Sequence, residues 1–496
     1  MAASHPAVFA SLPSASLFTF PPSAEPSFLP PPPPGSIAYA PPFSIPDHIY
    51  QAALDPKVPI TIAALYAVTA KALNIYNKST GKRPWGISKT RPFFVFVVLH
   101  NVFLAVYSAW TFWGMLGALR RSMVSPFGPA GLAGFVDSAC MLNGKRGLGN
   151  AAIYDEATHQ WQTFSPEVSL ASDGNPSRTD IGRIWNEGLA FYGWIFYLSK
   201  FYEVLDTFII LAKGKLSSTL QTYHHAGAMM CMWAGMRYMS APIWMFAFVN
   251  AGIHAMMYTY YTLTAFNIRV PMVVKRTLTT LQITQFLVGA SYAMAHSFVS
   301  YKIPVVVSVG QESLKAASSS PAAAAAAAAT AATTTAAVLL GNLKQLIFGA
   351  DPTVASSAPA APAVAASGAA AAAAHVTYGE RVVPCITTTG ETFAIWLNVL
   401  YLAPLTYLFV SFFIASYIRR SGAEGKLAGR GGKRGSVSSH VTVAEEAGWD
   451  AARGIEREVY GDGEGEAKVA RDIFVAAQKQ QQTNGRATRN GKTRRG

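Results

Sequence analysis

Residues 186–239 read NEGLAFYGWIFYLSKFYEVLDTFIILAKGKLSSTLQTYHHAGAMMCMWAGMRYM. Two apolar runs, 186–211 and 217–239, flank a short basic turn around Lys213 and Lys215. Each run approaches the roughly 20 residues that cross a hydrocarbon layer at about 1.5 Å per residue. Six polar groups nevertheless interrupt them: Lys200, Glu203, Asp206, Gln221, His224 and His225. An ionisable group at the centre of a bilayer costs about 2.5–3.5 kcal/mol on insertion scales, so such groups need a reason to be there.

Runs of the same length recur outward at 58–76, 93–118, 241–264, 275–299 and 392–418, giving seven in all. The composition agrees with a membrane protein: 51% of the 496 residues are hydrophobic and 13% are charged, against roughly 25% charged in soluble domains. The fold expected is an all-α membrane protein of seven transmembrane helices. Three cysteines exclude a disulfide-rich scaffold and a zinc site of four cysteines. No Lys or Arg precedes Lys57, so the charged start of a secretory signal is missing, and Pro30 to Pro34 point to polyproline II or disorder.

The domains expected are a disordered Pro-rich lumenal tail over 1–57, a seven-helix domain over 58–418, and a disordered basic cytosolic tail over 419–496. Within the second lie a lumenal loop, 121–184, and an alanine-rich lumenal insertion, 303–384, whose polyalanine runs bury little apolar area. Basic loops orient the chain, because Lys and Arg near span ends stay cytosolic. Lys78, Lys82, Arg83, Lys89 and Arg91 mark one cytosolic loop, Lys213 and Lys215 the next, and Arg269, Lys275 and Arg276 a third. The N-terminus is then lumenal and the C-terminus cytosolic, although Arg120, Arg121, Arg183, Arg237 and Lys302 vote the other way.

Lys200, Glu203, Asp206 and Thr207 stand at helical spacings of three, three and one, so they share one stripe and are expected to face one neighbouring helix. The bland reading is an interhelical ion-pair seam. The next runs weigh against it: Gln221, His224 and His225 form QxxHH, Asn250, His254, Met257, Tyr258 and Tyr261 recur along one face of NAGIHAMMYTYY, and Gln282 and Gln285 share a face of TTLQITQ. Such a cluster is expensive as mere packing.

At these residues the chain resembles the ELO family of very-long-chain fatty-acid elongases. KFYEVLDT is similar to the family's KxxExxDT, QTYHH to HxxHH in its glutamine variant, NAGIHAMMYTYY to NxxxHxxMYxYY, and TTLQITQ to TxxQxxQ. His100 and Asn101 and the stretch NVLYLAPLTYLFVSFFIASY also look like family segments. The resemblance implies six of seven helices in a barrel around an acyl tunnel. It implies condensation of a long-chain acyl-CoA with malonyl-CoA to a 3-ketoacyl-CoA, with release of CO2 and CoA. No cofactor and no metal are expected.

A neutral imidazole can attack a thioester to give an acyl-imidazole, itself a good acyl donor. By resemblance His224 is the acyl acceptor and His254 its partner, while His225, Asp206 and Glu203 fix ring orientation and Lys200 completes the charged stripe. Asn250, Tyr258, Tyr261, Gln282 and Gln285 are candidate donors around thioester and enolate. Lys213, Lys215, Arg269, Lys275 and Arg276 would meet CoA phosphates. Gln221 stands where many members have histidine and cannot titrate near neutral pH; in the family this variant points toward polyunsaturated chains. Cys231, seven residues after His224, is the alternative nucleophile.

The implied setting is the endoplasmic reticulum membrane, with GKTRRG at the C-terminus, containing Lys492 and Arg494, a degenerate retrieval signal. The implied partners are the bilayer, both CoA substrates, and the ketoacyl-CoA reductase, dehydratase and enoyl-CoA reductase of the elongation cycle. A homodimer is a further partner state, and nothing points to nucleic acid. Two other functions fit parts of the pattern: a membrane di-iron desaturase or hydroxylase, short of span histidines, and a seven-span transporter or receptor, which leaves the clustered histidines unexplained. Topology places Cys140 and Cys385 together on the lumenal side, where a disulfide is permitted, and many family members pair cysteines in these two loops.

Overall fold

The computed structural model describes residues 8–309 and 376–428, apart from some side chains that include those of Lys275 and Arg276. The polyalanine runs, the tail beyond residue 428 and its terminal basic motif lie outside the described residues. The chain divides into two compact units. A helical unit takes Ala15–Arg120, Glu187–His296 and Thr388–Gly496, and a sheet unit takes Met1–Ser14, Arg121–Asn186 and Ser297–Thr387.

In the helical unit the seven apolar runs coincide with helices. They are α2 (Lys57–Ser79), α3 (Arg91–Ser122), the pair α5 (Ala190–Tyr202) and α6 (Val204–Ala212), α7 (Thr219–Arg237), α8 (Ile243–Ala265), α9 (Met272–His296) and α10 (Thr389–Ala428). Of the described helices, α2 and α3 are long and apolar enough to cross a membrane. A short helix α1 (Asp47–Ala53) precedes α2. Contacts run from α7 to α5, on to α8, α9 and α10, and back to α7, while α2 packs on α6 and α7. Ser218 caps α7, its hydroxyl accepting from the Gln221 amide at 2.9 Å. Between α6 and α7, Gly214 sits at φ 76°, and a Cβ there would lie 2.6 Å from the Lys82 carbonyl, so the turn between the two lysines needs glycine.

The segment 8–57, expected as a disordered tail, is ordered by its aromatic side chains. Phe18 meets Trp396 with ring centroids 6.1 Å apart and Phe20 meets Phe393 at 6.0 Å. Tyr50 is fully buried, stacks on Trp194 at 5.5 Å, and donates to the Ala190 carbonyl at 2.9 Å. Arg237 donates to the carbonyls of Ala24 at 2.6 Å and Pro26 at 3.3 Å, and the Trp233 indole donates to that of Leu54 at 2.8 Å. Proline-rich backbone, lacking ladder hydrogen bonds of its own, is fixed here by helix side chains.

The sheet unit corrects the all-α expectation. Strands β1 (Val8–Ala10), β4 (Val299–Val309) and β5 (Val376–Pro384) form an antiparallel sheet in the order β1-β4-β5. Strands β2 (Ala152–Asp155) and β3 (Gln160–Thr163) form a separate hairpin. Thus the stretch 303–384, read as one insertion, carries strands at both ends, paired from Ser300 with Pro384 to Val309 with Val376. The loop 121–184 holds helix α4 (Gly131–Cys140) as well as the hairpin. Cys140 at the end of α4 is joined by a disulfide to Cys385 just past β5, with Cα atoms 4.9 Å apart.

Beside this bridge, Asp137 and Arg183 form a buried ion pair at 2.6 Å, and Tyr301 donates to the other Asp137 oxygen at 2.8 Å. Burial, reinforced by the Asp137 charge, holds the Tyr301 phenol well above its ordinary range, so it remains a donor. Three charges that oppose the loop-charge vote therefore have local partners: Arg183 has Asp137, Arg237 has two carbonyls, and Lys302 has Glu380 at 2.8 Å.

Candidate functional site

The expected sharing of one neighbour by Lys200, Glu203, Asp206 and Thr207 is not what the structure shows. The helix through them is interrupted at Glu203, between α5 and α6, and the stripe fans out. Lys200 Nζ donates to Asn250 Oδ1 on α8 at 3.0 Å and to Glu203 Oε1 at 2.7 Å. Glu203 Oε1 also accepts from Ser199 Oγ at 3.0 Å and lies 3.4 Å from His254 Nδ1. Asp206 turns instead to His100 on α3, at 2.7 Å, and accepts from Tyr258 on α8 at 2.5 Å. Thr207 meets the Tyr66 hydroxyl of α2 at 2.9 Å.

A polar chain thus joins α5, α8 and α9. Asn250 Nδ2 donates onward to Gln285 Oε1 at 3.2 Å. Gln282 Nε2 points at Met257 Sδ at 3.1 Å, while Tyr258 packs edge-on against His254 at 5.7 Å and against Tyr261 at 6.0 Å. Lys200, Glu203, His254 and Tyr258 are all buried, which makes the contacts among these four low-dielectric ones.

On α7, His224 and His225 are buried neighbours with ring centroids 5.5 Å apart. Tyr401 of α10 contributes what the sequence reading missed. Its hydroxyl lies 2.8 Å from His224 Nδ1 and 3.0 Å from the His224 carbonyl. A carbonyl only accepts, so the single phenolic proton goes there and the phenolic oxygen accepts from Nδ1–H. Assigned in this way from the hydrogen-bond network, the tautomer leaves the lone pair on His224 Nε2. Gly227, one turn on, admits the Tyr401 ring, because a Cβ at that position would lie 2.3 Å from it. The signal available in sequence was the tyrosine of NVLYLAP, one aromatic among many in an apolar run.

Gln221 does not reach the neighbouring histidines through any hydrogen bond: its Oε1 accepts from Ser217 at 3.1 Å, at the start of α7. Cys231 is buried and directs its thiol to the Leu397 carbonyl at 3.9 Å. Among the described residues, no polar atom bonds Gln221 Nε2, His225 Nε2, His254 Nδ1 or His100 Nδ1, although all four are buried. Of the basic residues assigned to CoA, Lys213 and Lys215 are half-buried and Arg269 is exposed; Lys275 and Arg276 have side chains outside the described set. No group of three or more His, Cys, Asp or Glu suited to a metal forms among the described residues.

The profile of the ELO family, described as GNS1/SUR4, matches residues 51–425. Very long chain fatty acid elongase 3 of Homo sapiens is 36% identical over 110 residues, 22% of this chain and 41% of that protein. Fatty acid elongase 2 of Trypanosoma brucei brucei is 30% identical over 123 residues, 25% of this chain and 45% of its own. Very long chain fatty acid elongase 6 of Gallus gallus is 43% identical over 100 residues, 20% of this chain and 37% of its own. The chain therefore spans less than half the length of these curated relatives, and no solved structure matches it. The match across residues 51–425 covers most of the sequence and every helix from α2 to α9, so the chain belongs to the ELO (GNS1/SUR4) family.

Proposed function

We propose that this protein is the condensing enzyme of fatty-acid elongation, joining a long-chain acyl-CoA to malonyl-CoA and releasing a 3-ketoacyl-CoA, CO2 and CoA. The observation that carries the reading is His224, buried, with Nδ1 engaged by Tyr401 and the lone pair on Nε2. Attack by Nε2 on the acyl thioester forms an N–acyl bond and breaks the C–S bond, and the sulfur leaves with CoA. Loss of CO2 from malonyl-CoA then leaves an enolate whose carbon attacks the held acyl group, and the electron pair of the breaking C–N bond returns to Nε2. Overall one proton is consumed, and it ends on CoA.

The remaining polar side chains suit that sequence. Asn250 is held between Lys200 and Gln285, so its amide is oriented before substrate arrives, the condition under which a donor stabilises a developing oxyanion most. Glu203 beside His254 favours a protonated Nδ1 on that ring. Burial excludes water, which would otherwise hydrolyse an acyl-imidazole. The ring of contacts α7–α5–α8–α9–α10 supports a barrel about an acyl tunnel within seven spans.

The proposed setting is the endoplasmic reticulum membrane, with Cys140 and Cys385 lumenal and Lys213, Lys215 and Arg269 toward cytosolic CoA substrates. The proposed partners are the reductase, dehydratase and enoyl reductase of the cycle, with no cofactor of its own. Gln221 supports a preference for polyunsaturated chains only as a family tendency. Incubating purified protein with radiolabelled malonyl-CoA and a series of acyl-CoAs tests the reading. It predicts labelled 3-ketoacyl-CoA that depends on both substrates, and no such product with any chain would overturn it.

A further inference from the structure

His100 is a buried ionisable residue that the reaction scheme leaves without a task. It sits on α3, its side chain fully buried, with its ring stacked on Tyr202 at 5.3 Å and edge-on to Tyr258 at 6.3 Å. Its Nε2 lies 2.7 Å from Asp206 Oδ1, while Tyr258 donates to Oδ2 of the same carboxylate at 2.5 Å. An ionised carboxylate only accepts, so both neighbours must donate and Nε2 carries the proton. The two donors occupy different oxygens, which fixes both the position and the rotation of the carboxyl group. Tyr258 in turn presents its edge to His254 at 5.7 Å, and His254 Nδ1 lies 3.4 Å from Glu203. His100 thus begins a line of fixed groups that ends on a site histidine two helices away.

We propose that His100 is a positioning residue for the condensation, holding Asp206 so that Tyr258 keeps the His254 ring in its reactive orientation. The inference rests on the elongase reading above. The bland account makes the same contacts a simple tie between α3 and α6, needed for folding and indifferent to the chemistry. The two accounts separate because a tie changes the amount of folded enzyme, whereas positioning changes turnover per folded molecule. Outer partners that orient metal-ligating histidines typically cost about 10- to 100-fold when removed, and a partner one group further out from a reacting imidazole is expected on the same scale.

The test compares His100→Leu with His100→Gln in the full chain, purified in detergent and normalised to folded protein by gel filtration. Glutamine reaches about as far as the imidazole and still donates. Leucine fills the space without donating. Positioning predicts a drop of about 10- to 100-fold in kcat for His100→Leu, with KM for both CoA substrates within about twofold, and recovery of most of that loss in His100→Gln. Equal kcat in the wild type and both variants would overturn it, as would a loss that tracks only the yield of folded protein. Should His100→Leu fail to accumulate, His100→Asn, whose amide falls short of Asp206, must show the same kcat loss or the proposal falls. Wild-type protein that makes no malonyl-CoA-dependent product would sink the elongase reading itself, an outcome distinct from an active wild type indifferent to residue 100.

Discussion

Among the described residues each unit buries one Lys or Arg ion pair, and the two pairs are built to opposite ends. In the sheet unit, all five guanidinium N–H groups of Arg183 find an acceptor: Nε on Lys145 O, Nη1 on Asp137 O and Met141 O, Nη2 on Asp137 Oδ2 and Gly147 O. Asp137 Oδ1 is taken by Tyr301, and the disulfide closes beside it. In the helical unit, Lys200 reaches Glu203 and Asn250 and lies over the Phe196 ring at 4.1 Å, while His254 Nδ1 stands 3.4 Å from Glu203 without a hydrogen bond. Buried polar groups are nearly always satisfied when their task is structural, and exceptions ask for another explanation. The saturated pair is a fastener. The Lys200–Glu203 cluster leaves His254 Nδ1 without a hydrogen bond, which fits the reacting role proposed for it.

The sharpest way to break this contrast is to replace each pair by apolar residues of similar size. In the helical unit, Lys200→Met with Glu203→Leu should leave a folded protein, because no lone buried charge remains. Condensation should nevertheless fall by about a hundred- to a thousandfold, the scale of losing one oxyanion donor, because Asn250 loses the Lys200 contact that orients it. Activity per folded molecule within tenfold of wild type would make this pair a fastener too.

The sheet unit should respond in stability instead. Arg183→Leu alone strands the Asp137 carboxylate and should destabilise by about 3–5 kcal/mol, whereas Arg183→Met with Asp137→Leu should restore most of that. Thermal melts in detergent read both, and kcat of the surviving enzyme should not move. A smaller effect belongs to the bridge. Cys140→Ser should cost about 2–4 kcal/mol, because Cys140 and Cys385 close a long loop. Non-reducing peptide mapping of the wild type should recover the two cysteines on linked peptides, and alkylation of both without reductant would remove the bridge from the account.

Much of the helical unit could be read in advance because hydropathy and polar interruptions are local signals. Apolar runs marked where the helices lie, and the spacing of Lys200, Glu203, Asn250, His254 and Gln285 picked out side chains that the structure joins in one polar chain, while His224 pairs with Tyr401 instead. Less legible were features created by contacts far apart in sequence. Nothing in SKFYEVLDTF, with neither glycine nor proline, marks the interruption at Glu203, and nothing local marks the contact of Asp206 with His100, 106 positions away. Tyr401 reaches His224 across 177 positions, and one tyrosine in an apolar run carries no sign of that task.

Strand β4 is legible as a run of β-branched residues, yet its partner β5 lies beyond the alanine-rich stretch, and that composition masked the pairing. The proline-rich start was misread for a related reason. Low periodicity signals disorder only when no neighbouring surface supplies partners, and here Trp194, Trp396 and Arg237 do so. Arg183, Arg237 and Lys302, which vote against the other loop charges, each have a local partner, a contact that a count of charges per loop does not register.

On the proposed route His224 Nε2 accepts the acyl group before malonyl-CoA enters. Mixing the enzyme with a long-chain acyl-CoA alone, then measuring free CoA and intact protein mass, tests it most directly. One CoA should be released per active site, with a mass increase of one acyl group on the peptide containing His224, and both should be absent in His224→Ala. Release of CoA only when malonyl-CoA is present, with no acylated protein at any time, would contradict the route.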